Sequence, residues 1–213
     1  MMILPRGKSI KQLSDTARVK MVNFLQELVK KKFSGYLAFD CGTAESVLCY
    51  TQGRPVAALW QQDGNVCRAH DAVQQLFRTL QQTSCQLQIF RLSPELVAEL
   101  PAVCHGEPVV SAQLVDVLDI ERLLERLGRD SFTGSLRLRA PEQSSLIFYR
   151  EGHATGFFED GSEMLLFRLN VQDSPALDAD CLLDVIRAPA ENVELPILNL
   201  EKEWLSIWRE LNP

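Results

Sequence analysis

The residues of this sequence that could bind a metal are few and widely spaced. The chain has 213 residues, with three histidines and six cysteines. Cys67 and His70 would lie one helical turn apart, and Cys104 directly precedes His105. A structural zinc site needs four ligands in a closed tetrahedron, and no Cys-x-x-Cys motif supplies a second pair. The sequence therefore predicts no metal site, with buried cysteines and surface histidines.

Residues for covalent catalysis or phosphate binding are equally sparse. A nucleophile needs a base beside it, and the chain has no Gly-x-Ser-x-Gly turn. Glycine-rich loops of the Walker or dinucleotide-binding type are absent. His153 is expected at a hairpin tip, and Glu159 and Asp160 in a turn, where such side chains are usually solvated. We therefore predict a protein that is not an enzyme, with no catalytic residue and no cofactor.

The cysteine content indicates reduced thiols. Six cysteines are under 3% of the chain, far below the content of a disulfide scaffold. Most have apolar neighbours, where a free cysteine behaves as a small hydrophobic residue. No segment has the roughly 18 to 20 apolar residues of a membrane span, and the first residues lack the apolar core of a secretory signal. We therefore expect a cytoplasmic protein with no membrane span. The cysteines are Cys41, Cys49, Cys67, Cys85, Cys104 and Cys181.

Charge is unevenly distributed along the chain. The formal net charge is −6, but residues 1–32 carry eight Lys or Arg and two acidic residues, a local net charge of +6. The remaining 181 residues carry −12. An acidic protein lacks the phosphate-neutralising surface that general nucleic-acid binding needs, so no nucleic-acid partner is expected. The basic N-terminal region is expected to contact either an acidic partner or the acidic remainder of its own chain.

The chain contains an internal duplication with an offset of 99 residues. Residues 21–53 align with 120–152 without a gap. Eight of these positions are identical, whereas composition alone predicts about two. We infer two copies of one ancestral unit. The predicted domains are 1–108, with a basic N-terminal helix, and 109–213, with a C-terminal helix that carries tryptophan.

Each copy is predicted to begin with a helix and continue with three antiparallel strands. Apolar residues recur every three or four positions over 21–28, which builds one buried helical stripe. Alternation over 33–39 indicates a strand with one covered face, and the apolar run 45–51 indicates a strand covered on both faces. Gly53 closes a hairpin onto a third strand near 55–60. The second copy repeats this pattern, so the fold class is α+β, with two tandem units in which a helix packs on an antiparallel β-meander with a following helix.

Beyond the third strand the two copies diverge. In the first copy, helical spacing over 67–82 and alternation over 85–90 predict a helix and a fourth strand. A short helix over 94–100 then begins at Ser93. The remaining predictions are a helix over 112–128 capped by Ser111, a strand or a helix over 162–170, a helix over 178–187, an extended run over 191–198 and a helix over 200–211.

The repeated pattern resembles the PATAN-type domain, a bacterial signalling module of unknown function. The resemblance covers Phe33–Ala58 and Phe132–Phe158 with their preceding helices. It rests on Phe-Ser/Thr-Gly-x-Leu, an apolar strand, and Gln/Glu-Gly before a third strand. It implies a non-enzymatic adaptor or scaffold that accompanies two-component, motility or small-GTPase systems. The second copy departs from the pattern over 152–157, so its third strand is expected to pack differently.

Surface for a partner is the remaining candidate functional feature. The terminal helix places two tryptophans one turn apart, so that they either dock on the core or anchor another chain. The outer faces of the first strands offer weaker candidates. The candidate partner-binding residues are Trp204, Trp208, Leu211, Tyr36, Arg137 and Arg139.

Three functions are compatible with these features. The first is a bacterial signalling adaptor or scaffold that binds another signalling protein through sheet edges or terminal helices. The second is a roadblock-like regulator of a small GTPase, which would dimerise by pairing strands into one continuous sheet. The third is a small-molecule sensor or enzyme that uses the seam between the copies, with Cys49 or His153 as residues to test. We expect the first function, and a homodimer is a further expectation.

Overall fold

A computed structural model describes residues 3–167, 180–190 and 200–211. Over these residues the chain forms two antiparallel sheets and five α-helices, which confirms the predicted α+β fold. Short 3-10 helices at Thr16–Arg18 and Val115–Val117 precede two of the α-helices. The α-helices are α1 (Met21–Lys30), α2 (Ala69–Gln82), α3 (Pro94–His105), α4 (Ile120–Arg129) and α5 (Leu200–Leu211).

Both sheets are antiparallel throughout. The strands of the first sheet are β1 (Lys8–Leu13), β2 (Gly35–Asp40), β3 (Ala44–Thr51), β4 (Arg54–Gln62), β5 (Asn65–Arg68) and β6 (Gln86–Arg91). The strands of the second are β7 (Glu107–Leu114), β8 (Gly134–Arg139), β9 (Ser144–Arg150), β10 (His153–Glu159) and β11 (Leu182–Arg187). Their spatial orders are β1-β6-β2-β3-β4-β5 and β7-β11-β8-β9-β10. We call Lys8–Arg91 the first unit and Glu107–Arg187 the second unit.

The two units repeat one topology. The edge strand, the 3-10 helix, the α-helix and the three strands of the meander recur in the same chain order and the same sheet positions. The fourth strand recurs as well, because Gly35 pairs with Arg91 and Gly134 pairs with Arg187. The duplication therefore extends from the edge strand to the last central strand, well beyond the stretch that aligns without gaps.

The repeated Phe-x-Gly motif lies where the helix leads into the first meander strand. Gly35 has a φ of +144° and Gly134 a φ of +156°. A Cβ at Gly35 would lie 2.0 Å from the carbonyl oxygen of Phe90, and one at Gly134 would lie 2.1 Å from that of Ile186. Only glycine adopts this backbone conformation readily and leaves room for the neighbouring strand. The motif therefore marks the close approach of β6 to β2 and of β11 to β8.

The third strands pair alike in the two units. Each contains a register shift, which leaves Val56 in β4 and Thr155 in β10 without an opposite residue. The packing differs at Gly156, where a Cβ would lie 2.6 Å from the Cγ of Leu165. The departure of the second copy from the repeated pattern thus makes room for a side chain from the following turn.

The two sheets face each other across a shared core, which we call the seam. The outer face of the first sheet packs against α1, α2 and α5, and the outer face of the second packs against α4. The helix α3 lies in the seam and contacts β3 and β4 of the first sheet and β8 and β11 of the second. The N-terminal residues Ile3 and Leu4 are buried in the same core. The seam is therefore apolar along α3 and joins the two units over both inner faces.

The predicted helix over 112–128 is confirmed over 120–128 as part of α4, but its first part and its N-cap at Ser111 are wrong. Residues 107–114 form β7, and α4 begins after Asp119, whose carboxylate accepts a hydrogen bond from Arg122 N at 3.0 Å. Ala112 has a φ of +50°, which no right-handed helix contains. Its N–H donates to Asp184 Oδ1 at 2.8 Å. Pairing with β11, which is remote in sequence, selects a strand where local periodicity fits a helix.

The predicted helix over 178–187 is also wrong. Leu182–Arg187 is a central strand between β7 and β8. It is buried on both faces. Leu183 and Val185 lie in the core between the second sheet and α4, and Ile186 lies in the seam. Such an apolar run fits a helix and a central strand equally well. Residues 161–167 form neither element apart from a bridge between Leu166 and Phe157, while 168–170 and the run predicted over 191–198 lie outside the described residues.

The predicted elements at 67–82, 85–90, 94–100 and 200–211 are confirmed as α2, β6, α3 and α5. The Ser93 hydroxyl caps α3 by accepting a hydrogen bond from Leu96 N at 3.3 Å. This helix runs through Pro101 to His105, because its apolar face is buried in the seam. The domain limits at 108 and 109 stay a prediction, and β7 spans that boundary.

Candidate interaction surface

The terminal helix α5 docks on the first unit, although it follows the second unit in sequence. Trp204 lies edge-on to Phe77 of α2 with ring centroids 5.3 Å apart, and Gln81 Nε2 donates to the Trp204 carbonyl at 3.0 Å. Ile207 is buried in the same core, and Leu211 is partly buried against it. The sequence left open whether this helix docks on the core or anchors another chain. Trp204 and Leu211 dock on the core.

Two apolar side chains of α5 beside the docked residues are exposed. Trp208 is 51% exposed, and Leu205 is 40% exposed. An ion pair between Arg78 Nη2 and Glu210 Oε2 at 2.8 Å and a contact between His70 Nε2 and Glu203 Oε2 at 3.3 Å link α5 to α2. Partner binding by Trp208 stays a prediction, with its ring accessible on the surface of the first unit.

Tyr36 is buried, so its expected position on a solvated sheet face is wrong. It lies in the seam, stacked on Phe90 with ring centroids 4.8 Å apart. Its hydroxyl donates to the Pro5 carbonyl at 2.5 Å and accepts from Gly7 N at 3.3 Å. Burial raises the pKa of Tyr36 well above its usual range. Tyr36 thus fastens the N-terminal segment to the inner face of the first sheet.

Arg137 and Arg139 also lie in the seam rather than on an exposed outer face. Arg137 Nε donates to Asp184 Oδ2 at 2.8 Å, and Arg139 Nη2 donates to Asp184 Oδ1 at 3.0 Å. The Asp184 side chain is 3% exposed, and the two arginine side chains are 19% and 15% exposed. Arg137 Nη1 also donates to the Ile3 carbonyl at 3.2 Å. The two guanidinium groups therefore neutralise a buried carboxylate, which the sequence does not single out.

The first unit has a cavity on its corresponding inner face. Strand pairing makes Ala38, Asp40 and Gln88 the equivalents of Arg137, Arg139 and Asp184. The small Ala38 side chain leaves open space there, and the cavity has a volume of about 230 Å³. The polar side chains along its wall are Arg6, Asp40, Glu45, Gln86 and Gln88.

The expectation that all six cysteines are free is wrong for two of them. Cys41 and Cys85 form a disulfide with their Cα atoms 4.2 Å apart. They follow and precede the paired residues Asp40 and Gln86, so antiparallel pairing of β2 and β6 places them opposite each other. Local sequence carries no signal for this register. The cysteines outside the disulfide are Cys49, Cys67, Cys104 and Cys181.

The histidines and the remaining thiols lie in different environments. His105 is buried, so the expectation of surface histidines is wrong for this residue, and its Nε2 accepts a hydrogen bond from Ala58 N at 3.4 Å. A hydrogen bond with Cys104 and burial raise the pKa of the Cys49 thiol. His153 is exposed on the β9–β10 hairpin, as expected. Over residues 3–167, 180–190 and 200–211, no group of three or more His, Cys, Asp or Glu side chains is placed to hold a metal ion.

One end of the first unit gathers exposed cations, and we call it the basic end. It is formed by the end of α1, the β3–β4 hairpin, the end of β6 and the start of β1. A Cβ at Gly53 would lie 2.7 Å from the carbonyl oxygen of Val29, so the hairpin meets the end of α1. The start of β1 pairs with the end of β6. The residues of the basic end are Lys8, Lys30, Lys31, Lys32, Arg54 and Arg91, all exposed.

Half of these cations lie close to a carboxylate. Lys30 Nζ lies 3.3 Å and Lys31 Nζ 3.7 Å from carboxylate oxygens of Glu27, and Lys8 Nζ lies 3.4 Å from Glu163 Oε1. Within the described part of the chain, no carboxylate forms an ion pair with Lys32, Arg54 or Arg91. Sequence reasoning found the basic N-terminal region but not Arg54 and Arg91, which strand pairing adds to it.

The equivalent end of the second unit has the same backbone and a different charge. The turn residue Lys32 has a φ of +49° and its equivalent Ser131 a φ of +47°. Gly53 N donates to Phe33 O at 2.7 Å, and Gly152 N donates to Phe132 O at 2.8 Å. In place of six cations, the second unit has two cations and two carboxylates. The equivalent residues are Glu107, Arg129, Asp130, Ser131, His153 and Arg187.

None of the helices within the described residues has the length and apolar character needed to span a bilayer.

Residues 2–103 match the family model of an uncharacterized protein conserved in archaea, DUF2226. The matched stretch contains the first unit and most of α3, and it is slightly less than half of the chain. No curated protein and no solved structure gives a significant match.

The expected resemblance to the PATAN-type domain is wrong. The matching family is archaeal and uncharacterized, which conflicts with a bacterial signalling module. The Phe-x-Gly motif behind that resemblance reflects the close approach of a neighbouring strand at Gly35 and Gly134. Any chain with this helix-to-strand junction meets the same steric demand. The first unit is therefore similar to an archaeal family without an assigned activity.

Proposed function

We propose that the protein is a non-enzymatic adaptor that binds a partner protein through the basic end of the first unit. The observation that carries this proposal is the charge difference between two structurally equivalent ends. The second unit shows that the fold does not need six cations at these positions, because Asp130, Ser131 and His153 occupy the same backbone sites. Cations that folding does not require are available to a partner.

Electrostatics favours a partner with an acidic surface. The chain as a whole carries a net charge of −6, yet the basic end concentrates six exposed cations. Single surface ion pairs contribute little, about 0–1 kcal/mol each. A cluster of one sign steers encounter with an oppositely charged surface and disfavours wrong partners. The basic end therefore supports selective binding more than tight binding.

The proposal is tested by capture with matched triple variants. The tagged full chain and its variant Lys31→Ala/Lys32→Ala/Arg54→Ala are cross-linked in host lysate, and the captured proteins are compared by mass spectrometry. The control is Asp130→Ala/Ser131→Ala/His153→Ala, which changes the equivalent positions of the second unit. We expect a specific partner to be lost with the first variant and retained with the control. Equal capture by both variants would rule out the basic end as the binding surface.

The cavity beside Ala38 supports a second candidate function, a sensor that binds a small molecule at the seam. Its volume of about 230 Å³ suits a small ligand, and its wall carries charged and amide side chains. Ala38→Arg places in the first unit the side chain that the second unit has at Arg137. Native mass spectrometry of the purified protein would show a retained ligand that this variant loses. A ligand-free mass in both proteins would leave this candidate without support.

A further inference from the structure

We propose that the basic end binds a short, extended acidic segment of its partner, laid across the ends of neighbouring strands. This inference rests on the proposed adaptor function and names the chemistry that the adaptor would recognise. The proposed ligand is a peptide segment rich in Asp or Glu. Positive charge distinguishes this surface from its equivalent in the second unit, and acidic side chains are complementary to it.

Strand register gives the length of the binding surface. Lys8 pairs with Arg91, Arg91 with Gly35, and Gly35 with Tyr50, while Arg54 opens the next strand. Neighbouring strands lie about 4.8 Å apart. Arg91 and Arg54 are therefore about 14 Å apart across three strand intervals, and Lys8 lies one interval further. An extended segment advances about 3.3 Å per residue, so roughly four to six residues span this row.

The end of α1 forms a second row of cations beside the strand ends. Lys30, Lys31 and Lys32 follow Val29, which lies against Gly53 of the hairpin. Val29 is 53% exposed and offers an apolar contact among the charges. Lys32 and Arg54 thus border the segment from the helix and from the hairpin. The guanidinium groups of Arg54 and Arg91 can each bind a carboxylate through two parallel hydrogen bonds.

The backbone beneath these cations is held by hydrogen bonds before any partner arrives. Gly53 N donates to Phe33 O at 2.7 Å, and Gln52 N donates to Ser34 Oγ at 3.0 Å. Leu92 N donates to Ser34 O at 3.2 Å, which ties the end of β6 to the same turn. A surface whose backbone is already ordered loses less conformational entropy on binding. The specificity of the site then comes from the spacing of its cations.

A peptide segment fits this surface better than a nucleic acid does. Duplex DNA carries one negative charge per roughly 1.7 Å of its axis. Its charge extends along the axis beyond the basic end. Outside the N-terminal 32 residues the chain carries a net charge of −12, which repels a long polyanion. A peptide can confine its carboxylates to the three strand intervals, roughly 14 Å, between Arg54 and Arg91. The acidic remainder of the protein therefore selects against nucleic acids while the basic end attracts a short segment.

The test measures binding of fluorescein-labelled hexaglutamate to the full chain by fluorescence anisotropy. The disrupting variant is Lys31→Asp/Lys32→Ser/Arg54→His, which gives the first unit the residues of the second. Because the same backbone already carries these residues in the second unit, folding is retained, and circular dichroism and thermal unfolding check this. We expect at least a tenfold loss of affinity, and a wild-type affinity that falls as salt increases.

A second variant tests whether the cations of the basic end confer binding when they are transferred to the second unit. On the background of the disrupting variant, Glu107→Lys/Asp130→Lys/Ser131→Lys/Glu151→Gln/His153→Arg rebuilds the cation pattern on the second unit. We expect it to recover binding to within about threefold of wild type. A graft that folds and does not bind would show that cation spacing on this backbone is insufficient.

The outcomes separate this inference from the proposed function. If the disrupting variant binds hexaglutamate as wild type does, or if wild type does not bind it, the acidic-segment proposal is overturned. If wild type binds a 15-nucleotide oligothymidine more tightly than hexaglutamate, the partner is a nucleic acid and the proposal is also overturned. Loss of the captured partner in the alanine variant, combined with no hexaglutamate binding, would leave the adaptor function standing and reject only the acidic segment.

Discussion

The two units of this protein share a backbone and differ in the polar chemistry placed upon it. Both keep the glycine at the helix-to-strand junction, the hairpin glycine that meets the helix end, and the same bulge in the third strand. In the seam, the second unit has Arg137, Arg139 and Asp184 where the first has Ala38, Asp40 and Gln88. The shared residues are those that the fold requires. The residues that differ are therefore the first place to look for function.

The two units also differ at the position of the disulfide. Register places Ala140 and Cys181 in the second unit where the first has Cys41 and Cys85. One unit thus has a covalent link between two strands, and the other has one of the two sulfur atoms in place. The link closes a 44-residue separation that contains the hairpin and α2.

The largest expected effect is at the shared glycines. Gly35→Ala would place a Cβ 2.0 Å from the Phe90 carbonyl oxygen, and Gly134→Ala would place one 2.1 Å from that of Ile186, both at positive φ. Backbone strain and overpacking together cost roughly 2 to 6 kcal/mol. We expect both variants to be severely destabilised in urea denaturation. A large effect at only one glycine would show that the two junctions are not equivalent.

The next effect distinguishes the two sides of the seam. Asp184→Ala leaves two guanidinium groups beside each other without their buried carboxylate, which costs about 3–5 kcal/mol. The matched variant Gln88→Ala changes the equivalent, partly exposed position of the first unit, and we expect about 0.5 kcal/mol or less. Free energies of unfolding from urea titration measure both. Similar values would contradict the view that only the second unit depends on ions in the seam.

The next pair of variants removes the disulfide of the first unit and introduces one at the equivalent position of the second unit. For a loop of this length, Cys41→Ser is expected to destabilise by up to about 4 kcal/mol in oxidising buffer. With dithiothreitol present, wild type and variant should unfold at nearly the same urea concentration. Ala140→Cys should form a second disulfide with Cys181, because Arg139 and Leu182 are paired neighbours. Thiol titration and intact mass detect that bond, and an unchanged thiol count would refute the equivalence of the two sites.

The smallest expected effect separates the two tryptophans of α5. Trp204 packs against Phe77 in the core of the first unit, and we expect Trp204→Ala to cost about 2 kcal/mol. Trp208 is 51% exposed, and we expect Trp208→Ala to cost about 0.5 kcal/mol. Thermal unfolding measures both, and acrylamide quenching should act mainly on Trp208. Equal destabilisation would mean that both rings hold the helix in place.

Prediction from sequence succeeded where local pattern and tertiary packing agree. The stripe at Met21, Leu25 and Leu28 predicts α1, and these residues are buried against the first sheet. The hairpin glycines and the alternation of the strands place the meander correctly in both units. The Ser93 cap was identified because its hydrogen bond is local. These features depend on neighbours within a few residues, so their signal is contained in a short window of sequence.

Prediction failed where pairing with remote residues decided the outcome. The helices predicted over 112–128 and 178–187 fail at residues 112–114 and 182–187, which lie in two strands that pair with each other. Tyr36 alternates with its neighbours as a surface residue does, but the second sheet, α3 and the N-terminal segment cover that face. Its burial depends on a second layer that the periodicity of one strand does not reveal.

By itself, the sequence determined the α+β class, the duplication and most of the local elements, because helical stripes, alternation and turn glycines act over short distances. The tertiary structure alone decided the disulfide, the buried carboxylate at Asp184 and the gathering of Lys32, Arg54 and Arg91 at one end. Those features depend on strand order and register, which bring residues tens of positions apart to within a few ångströms of each other. Cationic residues that are far apart in sequence form one basic surface because strand pairing brings the strand ends together.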